Sequence, residues 1–300
     1  MGTAKQILAG AELMQAVEKI EELRTVPTVL QKILSELMNP EANLEEIARL
    51  VMQDSVLSAK VLRLVNSPFI GLSREITSLK QAIVLLGMKR IRNLVLTTFM
   101  IQQFPLRDGE LPAWHFWAHA LGTAQCTTFL NIQSDGLPGE LYYLAGLLHD
   151  IGEIVLAQYF PEEFSFVYQF ARQSQIGLYK AEKEILDVTH CEIGETLAER
   201  WGFPEAVRSV IAFHHRPEHA QKDVPLVAAV HISNLFTKVY GLNYNIYEPT
   251  LLSVKDVPSF KILSSHSPQA MERDWETFSL ELMDRFQKIS VSVKHMFEES

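Results

Sequence analysis

Apolar residues along this chain recur at three- and four-residue intervals, and no run alternates with the period of two that a half-buried strand requires. The pattern predicts helices almost throughout. Thr28 can cap a helix that buries Val29, Ile33, Leu34 and Leu37 and ends at Asn39-Pro40. Asn43, with Glu46 three residues on, makes a capping-box-like start for a helix with Leu44, Ile47, Leu50 and Val51 inward. Asp54 caps the next, whose Leu57, Val61, Leu64 and Val65 share a face; Asn66-Ser67-Pro68 stops it and Gly71 marks the following turn. Ser78 opens a short helix that Gly87 closes, and a longer one runs from about Met88 to Met100.

Pro105 to Pro112, with Arg107-Asp108-Gly109-Glu110 between them, is the best candidate linker. Longer helices are expected beyond it, near 113–131, 139–160, 162–173, 178–188, 191–201, 204–215 and 224–240. Gly202-Phe203-Pro204 separates two of them with a Gly stop and a Pro at the first helical turn. After about Gly241 the chain turns polar and irregular before a final amphipathic helix at about 269–297. The expected fold class is all-α, an N-terminal bundle of short helices packed on a second helical bundle. Four stretches follow: an N-terminal amphipathic helix (1–23), the short-helix part (24–108), the long-helix part (109–240) and a tail with its final helix (241–300).

Composition narrows the function. At 300 residues, 47% hydrophobic and 21% charged, the chain is ordinary globular protein with room for more than one minimal core. The 27 basic and 36 acidic residues leave a net charge of −9, which argues against nucleic acid as a partner. Lys89, Arg90 and Arg92 form one local basic spot, read as a solvated helix face. Cys126 and Cys191, far apart and outside any Cys-x-x-Cys motif, suggest a reducing compartment. The charged N-terminus is no secretory segment, and the longest apolar stretch, Leu141–Leu148, is far short of the ~20 residues that span a bilayer. A soluble cytoplasmic protein with no membrane partner is expected.

Chemistry concentrates in the histidines, eight of ten of which fall between His115 and His231. His115 and His119 are four apart, on one helix face. His149-Asp150 sits in a segment apolar on all sides, from Leu141 to Leu148 and again from Ile154 to Leu156. An isolated buried carboxylate costs several kcal/mol, so Asp150 needs a pair, hydrogen bonds or a cation. On a continuous helix adjacent side chains diverge by about 100°, so His149 and Asp150 would serve separate partners or bridge two metals. Imidazole and carboxylate suit a divalent ion such as Fe, Mn, Zn or Ni. The competing reading is a metal-free hydrogen-bonded network. Nucleophile-elbow, P-loop and dinucleotide fingerprints are absent.

The stretch from Val26-Pro27 through Asp54, Leu62, Val65-Asn66-Ser67, Ile76, Ser78-Leu79, Ala82-Ile83 and Leu86-Gly87 resembles an HDOD domain, and the resemblance runs over roughly residues 24 to 235. It implies a bacterial regulatory protein with signalling proteins as partners, largely without catalysis. The second half also resembles the HD superfamily of metal-dependent phosphohydrolases, which makes the long-helix part HD-like. Carried over, His119 matches the first His, His149-Asp150 the central pair, and His190, His214 and His215 the further metal ligands of the two-metal subclass. Three positions depart. Asn234 stands where the closing Asp is expected, Glu153 where the cyclic-dinucleotide-cleaving subclass has Lys, and Arg216-Pro217-Glu218-His219 where it has Gly-Tyr-Pro. His115 stands where that subclass often carries a Glu ligand. The expectation is a non-catalytic regulator with a metal-binding HD-like site. The alternatives are a phosphohydrolase acting on a nucleotide or cyclic dinucleotide, and a sensor holding a small nucleotide in the old active site.

Overall fold

The computed structural model describes residues 7–23, 28–37, 49, 51, 52, 54–105, 111–130, 137–243 and 254–298. In chain order the N-terminal part holds α1 (Gly10–Glu18), α2 (Thr28–Leu37), α3 (Ser55–Val65), α4 (Leu79–Leu86) and α5 (Met88–Gln103). The long-helix part follows with α6 (Ala113–Leu130), α7 (Gly139–Leu148), α8 (Ile151–Tyr159), α9 (Pro161–Ser174), α10 (Leu178–Ile185), α11 (His190–Arg200), α12 (Glu205–Phe213) and α13 (Val224–Val239). The tail forms α14 (Pro258–His266), α15 (Pro268–Met271) and α16 (Trp275–Glu298). No strand occurs among the described residues. The fold is all-α.

Local chemistry sets the boundaries of the short helices. Asp54 Oδ1 accepts from the amides of Val56 and Leu57 at 3.0 and 2.9 Å, capping α3. Ser78 Oγ accepts from Gln81 N at 3.3 Å to start α4. Gly87, at φ 77°, ends α4 in a conformation that costs other residues a strained backbone. Asn66 does more than stop α3, because its amide brackets Ile76, accepting from the backbone N–H at 2.7 Å and donating to the carbonyl at 2.8 Å. That clasp closes the loop between α3 and α4.

Helix α6 is the centre of the molecule, packed by α7, α13 and α16. Small residues let the helices meet backbone to backbone. A Cβ on Gly146 would lie 2.7 Å from the Cα of Ala124, so α7 and α6 touch there with no side chain between them. Gly152 brings α8 against α11 more closely still, since a Cβ would fall 1.9 Å from the His190 carbonyl oxygen. α1 docks on the long-helix part, where Gly10 N donates to Leu186 O at 2.7 Å, and Trp201 Nε1 donates to Leu23 O at 2.8 Å.

Two expectations are corrected. The predicted helix over 139–160 is two helices, with a turn at His149-Asp150. The apolar run continues through the break because both sides of the corner are buried, so periodicity could not register it. The 100° divergence therefore does not apply, and the two side chains meet. Residues 258–266, expected to be irregular, are helical: Pro258 supplies a fixed φ at the first turn, and Ser259 and Leu263 bury one face. The expected helix start at Asn43, the Asn39-Pro40 stop and the Arg107–Glu110 linker lie outside the described residues.

Candidate metal centre

Asp150 is the hub of the histidine cluster and is 1% exposed. Its Oδ2 lies 2.9 Å from His149 Nε2 and 3.5 Å from His119 Nε2, and those two nitrogens are 3.3 Å apart. Its Oδ1 lies 3.0 Å from His214 Nε2 and 3.4 Å from His190 Nε2. His215 joins through His190, with the two Nε2 atoms 3.2 Å apart. Five elements deliver these groups: α6 carries His119, α7 ends at His149, the corner presents Asp150, α11 opens on His190, and His214-His215 follow α12. The approach at Gly152 is what seats His190 against the carboxylate.

The other ring nitrogens fix the protons. A carbonyl oxygen only accepts, so the nitrogen facing it carries the hydrogen. His119 Nδ1 donates to Leu242 O at 2.8 Å, His149 Nδ1 to Gly146 O at 2.9 Å, and His214 Nδ1 to Val210 O and Ile211 O, each at 3.2 Å. His190 Nδ1 lies 2.7 Å from Glu182 Oε2, which also accepts the His190 backbone N–H at 2.8 Å. In the neutral rings every lone pair then sits on Nε2, facing Asp150. Four lone pairs around a carboxylate repel unless positive charge lies among them. Histidines that bind metals show this same division, one nitrogen toward the cation and the other donating to a carbonyl or carboxylate.

Electrostatics separates the two sides of the carboxylate. On the Oδ1 side burial pushes His214 down, but Cys191 and Asp150 bring it up to about 9. Burial also opposes charge on His190, and Glu182 with Cys191 and Asp150 outweighs it, holding the ring well above its usual value. Protons can therefore balance that side. On the Oδ2 side burial, assisted by His214 and His119, drives His149 down to about 4 despite Asp150. Burial disfavours charge on Asp150 too, yet the surrounding imidazoles hold it well below the usual carboxylate range. A neutral His149 beside an ionised Asp150 leaves the Oδ2 side able to accept a cation.

The donors fit one. One ligand atom each from His119, His149 and Asp150 lies within 4.8 Å of the others, as do those of His190, Cys191, His214 and His215, and those of Asp150, Glu153 and His190. Imidazole nitrogen and carboxylate oxygen suit borderline divalent ions, and the Cys191 thiol on the Oδ1 side adds a softer donor. Burial pushes that thiol up, but His190 and His214 bring it down to about 7.

All six site residues expected from the sequence come together. Three further members were not expected. Glu182 reads as one charge in Lys180-Ala181-Glu182-Lys183-Glu184, although Leu178, Ala181, Glu182 and Ile185 follow the i, i+3, i+4, i+7 spacing that marks a buried face. Glu153, buried with Oε1 3.7 Å from His190 Nδ1, lies inside the apolar run Ile151–Leu156. Cys191, 3.9 Å from His214 Nδ1, carries no motif. His115 stays outside these groups; it is half-buried, its ring tilted against Trp114 with centres 3.5 Å apart, and pushed down by burial and by Lys294. Asn234 is buried on α13 with no hydrogen-bond partner for its side-chain oxygen among the described residues. Of the arginines nearest in sequence, Arg200 donates to Glu18 O and Arg208 faces Glu199, while Arg216 lies over Tyr179, whose ring stacks on His215 at 4.4 Å.

Comparison with known proteins gives the family and the fold. The HDOD domain family profile matches residues 23–217. An uncharacterized protein of Treponema pallidum (strain Nichols) is 29% identical over 224 residues, which are 73% of this chain and 42% of that protein. The chain thus spans less than half the length of the curated relative it matches. Among solved structures, an HDOD domain protein of unknown function from Geobacter sulfurreducens is 29% identical with a TM-score of 0.83, covering 95% of this chain and 96% of its own. A protein described as a candidate phosphohydrolase from Shewanella amazonensis SB2B shares the fold at 22% identity and TM-score 0.69, covering 94% and 98%. One described as a candidate signal transduction protein from Marinobacter aquaeolei VT8 shares it at 23% and 0.74, covering 98% and 62%.

Proposed function

The chain belongs to the HDOD domain family, and from that premise we propose that it is a bacterial signal-transduction protein. In this reading it works through protein partners, and its HD-like centre holds a divalent metal as a clamp instead of a hydrolytic catalyst. The fold alone serves signalling proteins and phosphohydrolases alike, so the centre has to decide. The observation that carries the reading is closure: His119, His149, Asp150, His190 and His214 are each no more than 1% exposed, and only His215 reaches an edge. Donors buried to this depth leave no surface from which a phosphoester could reach an ion among them, and a water would complete a three-donor set. His119, His149 and Asp150 would hold the ion, with His190, His214 and His215 on the far side of the carboxylate. In an open site such an ion would polarise a water for attack on phosphorus.

The alternative, a metal-dependent phosphohydrolase acting on a nucleotide or cyclic dinucleotide, is favoured by the intact His-Asp donor set. Against it stand Glu153, Asn234 and the engagement of Arg200 and Arg208 away from the centre. Elemental analysis of protein purified without a polyhistidine tag separates the readings. The expected result is about one Fe, Mn, Zn or Ni per chain, lost in Asp150→Asn, with no phosphate released from mono- or diesters. Metal-dependent turnover that disappears in His149→Ala would establish the hydrolase instead. Protein that takes up no metal after anaerobic loading with Fe or Mn would reduce the centre to a protonated network.

A further inference from the structure

A second site lies away from the histidines. A cavity of about 440 Å³ opens between α5, α6, α7 and α16, walled on one side by the loop after α3. Its volume is within the range of small-molecule sites. Two arginines line it, Arg90 from α5 and Arg285 from α16, and no carboxylate does. Among the described residues neither guanidinium has an ion pair; Asp284, next to Arg285, is taken by Lys288 at 2.5 Å. In a chain with net charge −9, two uncompensated cations facing one cavity are a selective feature.

The cavity is prepared as well as charged. Arg285 lies over the Phe129 ring, 4.3 Å from its centre, and Phe129 in turn stacks on Phe278 at 5.1 Å. The guanidinium is thereby oriented while its donors stay available to an anion. Phe69 brings an aromatic ring to the wall, and its backbone N–H donates to the buried Ser292 Oγ at 2.9 Å, which ties that loop to α16. Asn93 and Gln125 add amides, each both donor and acceptor, and the Gln125 amide is held in place by a hydrogen bond with the Tyr143 hydroxyl. Anion-binding arginines, an aromatic ring and amides together match a phosphate, the face of a base and its edge.

We propose that this cavity binds a nucleoside monophosphate, with Arg90 and Arg285 on the phosphate, Phe69 against the base and Asn93 with Gln125 reading its edge. The site is independent of whether the histidine centre holds metal. Calorimetric titration of the full chain with AMP and GMP, beside adenosine and inorganic phosphate alone, tests it. The expected result is saturable binding of at least one nucleotide, stronger than either adenosine or phosphate. It should weaken about tenfold in Arg285→Ala and in Arg90→Ala, as loss of a charge-assisted hydrogen bond implies. Both side chains are exposed, so unchanged melting temperatures will show that the variants fold. Arg285→Lys, which keeps the charge and loses the flat stacked group, should also bind more weakly than the parent. Absence of binding, binding indifferent to both arginine substitutions, or phosphate binding as tightly as the nucleotides would each overturn the proposal.

Discussion

The most instructive residue is Glu182, buried and without a motif, which grips His190 through both its ring and its backbone. A carboxylate in that place fixes the ring's proton and raises its basicity, and losing such a partner costs roughly 10- to 100-fold in metal affinity. With the ion held by His119, His149 and Asp150, and not by His190, Glu182→Gln should leave uptake in a chelator competition within about threefold of the parent, while Asp150→Asn should abolish it. A 10- to 100-fold loss in Glu182→Gln would show instead that His190 is itself a ligand. His119, His149, Asp150, His190, His214 and His215 were legible because histidine is rare and its spacing stands out. Glu182 and Glu153 were not, because glutamate is common on solvated faces and only a buried spacing betrays it. Cys191 was dismissed for lack of a partner cysteine, when its neighbours in space are imidazoles.

Between elements, the decisive contacts are those made where a side chain is missing. Gly152→Ala would drive a Cβ to 1.9 Å from the His190 carbonyl and 2.8 Å from the Gly194 amide, both of them backbone atoms with nowhere to go. The expected loss is about 3 kcal/mol or more in urea unfolding, together with weaker metal uptake as α11 shifts. Gly139→Ala, with nothing within 4 Å, is the control and should change stability by less than about 0.5 kcal/mol. A second joint ties α7 to α5, where Glu140 meets Arg92 at 2.9 Å and Lys89 at 3.1 Å. Burial pushes Glu140 up, but its helix-end amide and the two cations hold it below its usual value. A depressed carboxylate stabilises above its unfolded pKa and loses that contribution as pH falls through the folded one. Glu140→Gln should thus cost about 1 kcal/mol at pH 7, and the gap to the parent should close below pH ~4. Element types and most helix ends were readable from spacing and caps. The corner at His149-Asp150 was not, because a buried turn between two buried helices leaves no polar mark.

For the whole molecule, the matched family region and the folded unit differ in extent. Residues 23–217 stop short of α13 and α16, yet both pack on α6, and Phe278, Leu282, Phe286, Ile289 and Val293 of α16 are buried. A fragment of 23–217 would bare that side of the central helix. It should lack the cooperative thermal transition of the full chain when followed by circular dichroism; a sharp monomeric melt would show that the tail is dispensable. The tail also reaches the centre, since the carbonyl that orients His119 belongs to Leu242. Three of the four rings around Asp150 are steered in this way, by the main chain at Leu242, Gly146 and Val210 with Ile211. Such steering is immune to point mutation, because every amino acid carries the same carbonyl. A lineage that discards the hydrolytic groups can keep this poise for free, and only the ring held by Glu182 stands one codon change from losing it.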